Sequence, residues 1–179
     1  MKTVIRSTVV ALAIMLVTAV GNPPGRAMAQ ASSLAGNYTF DAGASQSIKA
    51  AVDKVAEQMS FLIRGIVKDR LMAANPPVNT VAIVLAGNDA TITWNGSMTV
   101  KTPTDGTPVD WTAPDGEKGK LSTVWAGPVL KRTLTSGNGQ RANAYSLDPS
   151  GKVLTLEVTI SSSQLPAPVN YKLVFRRNG

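Results

Sequence analysis

Between Ser45 and Met72 the residues Ile48, Val52, Val55, Met59, Leu62, Ile66 and Val67 recur at three- and four-residue steps, with Lys49, Asp53, Glu57, Arg64 and Lys68 between them. This spacing predicts one long amphipathic helix. Ser45 or Ser47 can cap its start, and Asn75-Pro76-Pro77 stops it, because proline cannot continue the hydrogen-bond ladder. Gly65 inside the pattern costs roughly 1 kcal/mol relative to Ala, which a close approach to another backbone would explain.

On either side of that segment the apolar period falls from about 3.6 to about 2. Leu34 to Phe40 alternates before the helix. After it come short β-rich runs at Thr80–Leu85, Thr91–Trp94, Ser97–Lys101, Lys120–Trp125, Val129–Leu134, Gln140–Leu147, Val153–Ile160 and Asn170–Arg176, with a short segment around Trp111 flanked by the turns Thr104-Asp105-Gly106 and Pro114-Asp115-Gly116. Asn95-Gly96, Gly137-Asn138-Gly139 and Asp148-Pro149-Ser150-Gly151 supply tight turns between them. The fold class expected is mainly β: a closed or nearly closed antiparallel up-and-down barrel of eight to nine strands, with the one helix lying across its mouth or along its outside. A two-sheet sandwich competes, but its crossovers want longer loops than most of these.

The first residues belong to a different pattern. Lys2 and Arg6 precede an apolar run from Val9 to Val20, and Ala27-Met28-Ala29 has the small-x-small form of a cleavage site. Residues 1–29 are expected to be a bacterial Sec-type signal peptide and residues 30–179 a single domain, periplasmic or secreted. The run falls short of the roughly 20 apolar residues of a membrane span, so no stable membrane anchor is expected. Loss of Lys2, Arg6 and Arg26 lowers the formal charge from +7 to +4. With no dense basic patch left beside stacking aromatics, nucleic acid is not an expected partner.

The chain has neither cysteine nor histidine. That removes disulfides, the Ser-His-Asp and Cys-His nucleophile pairs, and the commonest transition-metal ligand. Asp105, Asp110, Asp115 and Glu117 form an acidic cluster, but their spacing fits no calcium loop and suits ordinary turns. No metal, no cofactor and no catalytic residue is assigned, and the protein is read as a non-enzyme.

Several short segments resemble the lipocalin-like, or calycin, small barrels of bacterial secreted proteins. They are Gly36-Asn37-Tyr38, Trp125-Ala126-Gly127-Pro128-Val129-Leu130, Tyr145-Ser146-Leu147, Gly151-Lys152-Val153-Leu154-Thr155-Leu156 and Phe175-Arg176-Arg177. The resemblance implies that an arginine of the last strand, Arg176 or Arg177, packs over the Tyr38 ring and closes one barrel end. The helix after the first strand is closer to fatty-acid-binding-like barrels, in which Arg and Tyr together hold a carboxylate.

Small barrels either fill their interior, the default packing, or hold one ligand. Alternation places Trp94 and Trp125 inside. Arg132 shares parity with Leu130 and Leu134, so it would point inward and want an anionic partner, with Arg141 and Tyr145 on the next strand able to join it. The simpler reading has the register flip at Gly127-Pro128 and leaves Arg132 in solvent. The function expected is binding of a small, mostly apolar, fatty-acid-like molecule at Arg132, Arg141, Tyr145, Trp94 and Trp125. The alternative is an envelope structural or interaction module with a filled core and a protein partner.

Overall fold

The computed structural model describes residues 34–113 and 116–179, so the signal-peptide segment lies outside the described residues. Ten strands form one antiparallel sheet: β1 Gly36–Phe40, β2 Thr80–Ala86, β3 Asp89–Trp94, β4 Met98–Pro103, β5 Val109–Thr112, β6 Lys118–Ala126, β7 Val129–Ser136, β8 Gly139–Leu147, β9 Val153–Ser161 and β10 Val169–Arg177. Sequence neighbours pair throughout, except that β4 and β5 do not pair with each other and β1 joins β10 to β2. The sheet is therefore an up-and-down barrel, nearly closed and open along one seam, and not a sandwich. The strand count exceeds the eight to nine expected, because the four residues around Trp111 pair with Lys118–Leu121 as a strand of their own.

The seam between β4 and β6 is narrow. An isolated bridge links Asp105 to Val124, and the Gly106 amide donates to the Thr123 carbonyl at 2.9 Å. Inside the barrel the Thr102 hydroxyl donates to that of Thr123 at 2.7 Å. The seam is thus closed by one backbone bridge and by side chains rather than by a full ladder.

The single long helix is a helix pair: α1 Ile48–Ala56 and α2 Phe61–Ala73. Gln58 and Met59 turn back by bonding their amides to Val55 and Ala56, and Ser60, in an extended conformation, starts the second helix. A straight helix of 28 residues would run about 42 Å. Folding it in two keeps both halves near the rim. The apolar spacing continues across the break, so periodicity gives no sign of it.

Only α1 is sealed in. Its Val52, Val55 and Ala56 are buried and its N-cap is Ser47, whose hydroxyl accepts from the Ala50 amide. No residue of α2 is buried, and Leu71 and Met72 alone among its residues pack partly against the core. Phe61 and Leu62 are 79% and 71% exposed. Gly65 meets no other backbone: a Cβ built there touches nothing, so close approach does not explain it. Gly65→Ala is expected to stabilise α2 by about 1 kcal/mol. Slower amide exchange across α2, with other elements unchanged, is the readout.

At the opposite end, Arg177 lies over the Tyr38 ring at 5.0 Å and donates to its hydroxyl at 2.8 Å, to Ala35 O and to Gly151 O. Arg176 does not reach the ring. It points outward and pairs with Asp41 at 2.7 Å, which holds that carboxyl below its usual range. Gly36 is required beneath this group, since it has φ +158 and an added Cβ would sit 2.6 Å from the Arg177 guanidinium.

Candidate functional site: a buried guanidinium in the barrel

Strand register stacks the inward side chains of β6 to β10 in layers. Thr123, Arg132, Asn143, Val158 and Tyr171 share one layer. Trp125, Leu130, Tyr145, Leu156 and Leu173 form the layer beside it, and Leu121, Leu134, Arg141, Ile160 and Val169 the layer on its other side. Trp125 and Leu130 face each other across the Gly127-Pro128 turn with no slip in register. The simpler reading of Arg132 as a solvent-facing residue is thereby overturned, and the side chain is 2% exposed.

Arg132 reaches across the seam. Its Nε donates to Thr123 Oγ1 at 3.1 Å, and its Nη2 donates to Thr102 Oγ1 at 3.0 Å and to the Ala90 and Val100 carbonyls at 3.3 Å. Trp94 lies beneath the guanidinium at 5.6 Å. Every one of these partners is neutral, and no ion pair involving Arg132 is present among the described residues. Its Nη1 is buried without a hydrogen-bond partner. Burial pulls the group below its ordinary pKa, with Tyr145 opposing.

Tyr145 is fully buried in the adjacent layer, and its hydroxyl also has no hydrogen-bond partner of ordinary geometry. Burial raises its pKa, against the pull of Arg132 first and Arg141 second; the Asn143 and Trp94 side chains beside it act weakly in the same sense as the arginines. The structure thus brings Arg132, Tyr145 and Trp94 together. Trp125 stands in the layer of Tyr145, half-buried against the core.

Arg141 is held differently. Its Nε donates to Asn143 Oδ1 at 3.0 Å, its Nη2 to the Tyr171 hydroxyl at 3.2 Å, and its Nη1 to Asn75 Oδ1. Tyr171 donates to the same Asn75 oxygen at 2.7 Å, and Asn75 Nδ2 donates to Leu71 O at 2.7 Å. Asn75, Asn143, Thr102 and Thr123 are buried polar residues that alternation did not mark as part of a site. Thr102 and Thr123 share inward parity with the apolar positions of their strands, which is the one signal that could have found them.

No group of acidic residues able to hold a metal ion is present among the described residues, and no helix there is long and apolar enough to cross a membrane. Surface recesses lie at Ser136–Gln140 with Ser161–Ser163 and at Lys152 with Arg176–Gly179. Neither includes Arg132 or Tyr145.

No protein-family model matches the chain, and no curated protein matches its sequence. Solved structures do. The REP1-NXSQ fatty acid transporter superposes with a TM-score of 0.56 at 14% identity, covering 83% of this chain and 98% of that one. A Schistosoma mansoni fatty acid binding protein in complex with arachidonic acid gives 0.55 at 16% identity, covering 84% and 99%. Human cRBP IV gives 0.53 at 19% identity, covering 81% and 98%. At these identities the likeness speaks for the fold alone, a nearly closed antiparallel up-and-down β-barrel.

Two predictions follow from the burial of these groups. Thr123→Val removes the acceptor of Arg132 Nε and of Thr102, and is expected to cost about 1–3 kcal/mol of stability in chemical denaturation. Tyr38, Tyr145 and Tyr171 are the only tyrosines of the chain, and burial raises the pKa of all three. A raised folded pKa gives stability that is complete below the ordinary value near 10 and is lost as pH rises through the folded value. Tyrosinate absorbance should therefore appear in the native protein only at higher pH than in the unfolded chain, together with alkaline unfolding. A tyrosine titrating normally in the folded state would contradict this.

Proposed function

We propose that this protein is a non-enzymatic, exported barrel that takes up a small, mostly apolar molecule with an acidic head group. The observation that carries the reading is Arg132: a guanidinium buried among neutral acceptors, with Nη1 unpartnered and, in the adjacent layer, the Tyr145 hydroxyl unpartnered as well. A buried cation without a counter-charge is costly, and a carboxylate is the group that best satisfies a guanidinium and a phenol together. Trp125, Leu130, Leu156 and Leu173 in the layer beside Arg132 are apolar and suit a hydrocarbon tail. The likeness to a fatty acid transporter and to a fatty acid binding protein supports the same ligand class. Export, with cleavage near Ala29, rests on the N-terminal pattern alone.

The second reading, an interaction module with a filled barrel, is favoured by the density of buried side chains inside and by the exposed Phe61, Leu62, Ile63 and Ile66. Titration with laurate, read by calorimetry, separates the two. Saturable binding is expected at one site, weakened at least about 30-fold in Arg132→Met, since removing one partner of a buried charge pair costs about 2 kcal/mol or more. No binding of laurate or other apolar acids by the folded wild type would favour the interaction module, and equal binding by Arg132→Met would remove Arg132 from the site.

A further inference from the structure

The outer wall of β6 to β10 carries a charge pattern that nothing within the molecule uses. One rung of the sheet sets Val124, Lys131, Ala144, Glu157 and Lys172 side by side on these five strands. Each alternates with buried residues of the interior, so all five belong to the outer face. Lys131, Glu157 and Lys172 are exposed, and none of the three makes an ion pair among the described residues. Elsewhere on the same strands the outward Lys120 and Arg176 are each neutralised, by Asp110 and Asp41. Lys131 and Glu157 stand on opposite flanks of β8, two strand spacings or about 10 Å apart. Between them β8 presents only Ala142 and Ala144, so the wall is low at its centre with a cation on one flank and an anion on the other.

We propose that this wall is an interface between two copies of the chain, related by a twofold axis that lies in the interface parallel to β8. The occupant follows from the charge pattern. Such an axis exchanges left and right across the sheet and keeps the height along the strand. Lys131 of one copy then meets Glu157 of the other, Glu157 meets Lys131, and Ala144 lies against Ala144. A single rung thus yields two complementary pairs. The other in-plane axis, perpendicular to the strands, would set Lys131 against Lys131 and Glu157 against Glu157. An unrelated partner would need the same cation and anion at the same spacing about a low centre, and this chain already supplies them.

The alanines leave room for the two sheets to approach the roughly 10 Å separation of packed sheets. A barrel wall is convex, so contact reaches at most about five strands and four rungs, roughly 24 Å by 20 Å, or about 500 Å² per copy and 1,000 Å² in all. That is the low end for a specific interface, and it predicts a reversible dimer of micromolar affinity. Because the axis keeps the direction of β8, both mouths open toward the same side of the dimer, with the barrel axes splayed by twice the strand tilt, roughly 80°. The pairing is independent of what the interior binds.

Sedimentation velocity of the protein from about 1 to 500 µM tests the interface by mass action. A monomer–dimer equilibrium is expected with Kd in the tens of micromolar, weakening as salt rises from about 0.05 to 0.5 M. Lys131→Glu and Glu157→Lys should each weaken it at least about tenfold, since either one turns two attractive contacts into two repulsive ones. The two substitutions together restore opposite charges across the axis and should return Kd to within about threefold of wild type. A monomer throughout the range overturns the proposal. So does a dimer that survives both single reversals, whose loss in Leu62→Ser would assign the contact to the exposed face of α2 instead. A dimer lost in the single variants and not recovered in the double one overturns the facing of Lys131 and Glu157.

Discussion

The barrel holds the Arg132 guanidinium in its interior by meeting its Nε and Nη2 donors, while Nη1 stays buried without a partner. The strands that bound the seam, β4 and β6, do not complete a backbone ladder, so the wall there is drawn together by side chains. Nε and Nη2 of Arg132 bind hydroxyls and carbonyls from both sides of that seam, which makes one residue both a rivet for the wall and a positive charge in the interior. Neutral acceptors satisfy hydrogen bonds but not charge. That imbalance is what the proposed acidic ligand would correct.

The two ends of the barrel are finished in contrasting ways. One is closed permanently by Arg177 over Tyr38, with Gly36 leaving room for the guanidinium and Ala35 and Gly151 accepting its remaining protons. The other is covered by two helices of unequal hold. α1 buries Val52, Val55 and Ala56, whereas α2 is tied chiefly by Asn75 and by contacts to α1.

Much of the fold was legible in the residues because strands announce themselves by alternation and turns by Gly, Asn and Pro. Val129–Leu134 and Gln140–Leu147 fall within β7 and β8, and the inward parity of Arg132, Arg141 and Tyr145 is as alternation implied. The break at Glu57–Ser60 was hidden because Met59 and Leu62 continue the apolar spacing across it. The partners of Arg141 were equally hidden: Asn75 lies 66 positions away in a segment that reads as a helix stop, and nothing local shows that its amide turns inward.

The account turns on whether the interior cation sets the choice of ligand. The most direct measurement is a comparison, on the wild-type protein, of the affinities of laurate and of dodecanol, which share a tail and differ in head-group charge. Laurate is expected to bind at least about tenfold more tightly, a difference of about 1.4 kcal/mol assignable to the buried guanidinium. Equal affinities, or a preference for the alcohol, would show that Arg132 serves the wall of the barrel alone.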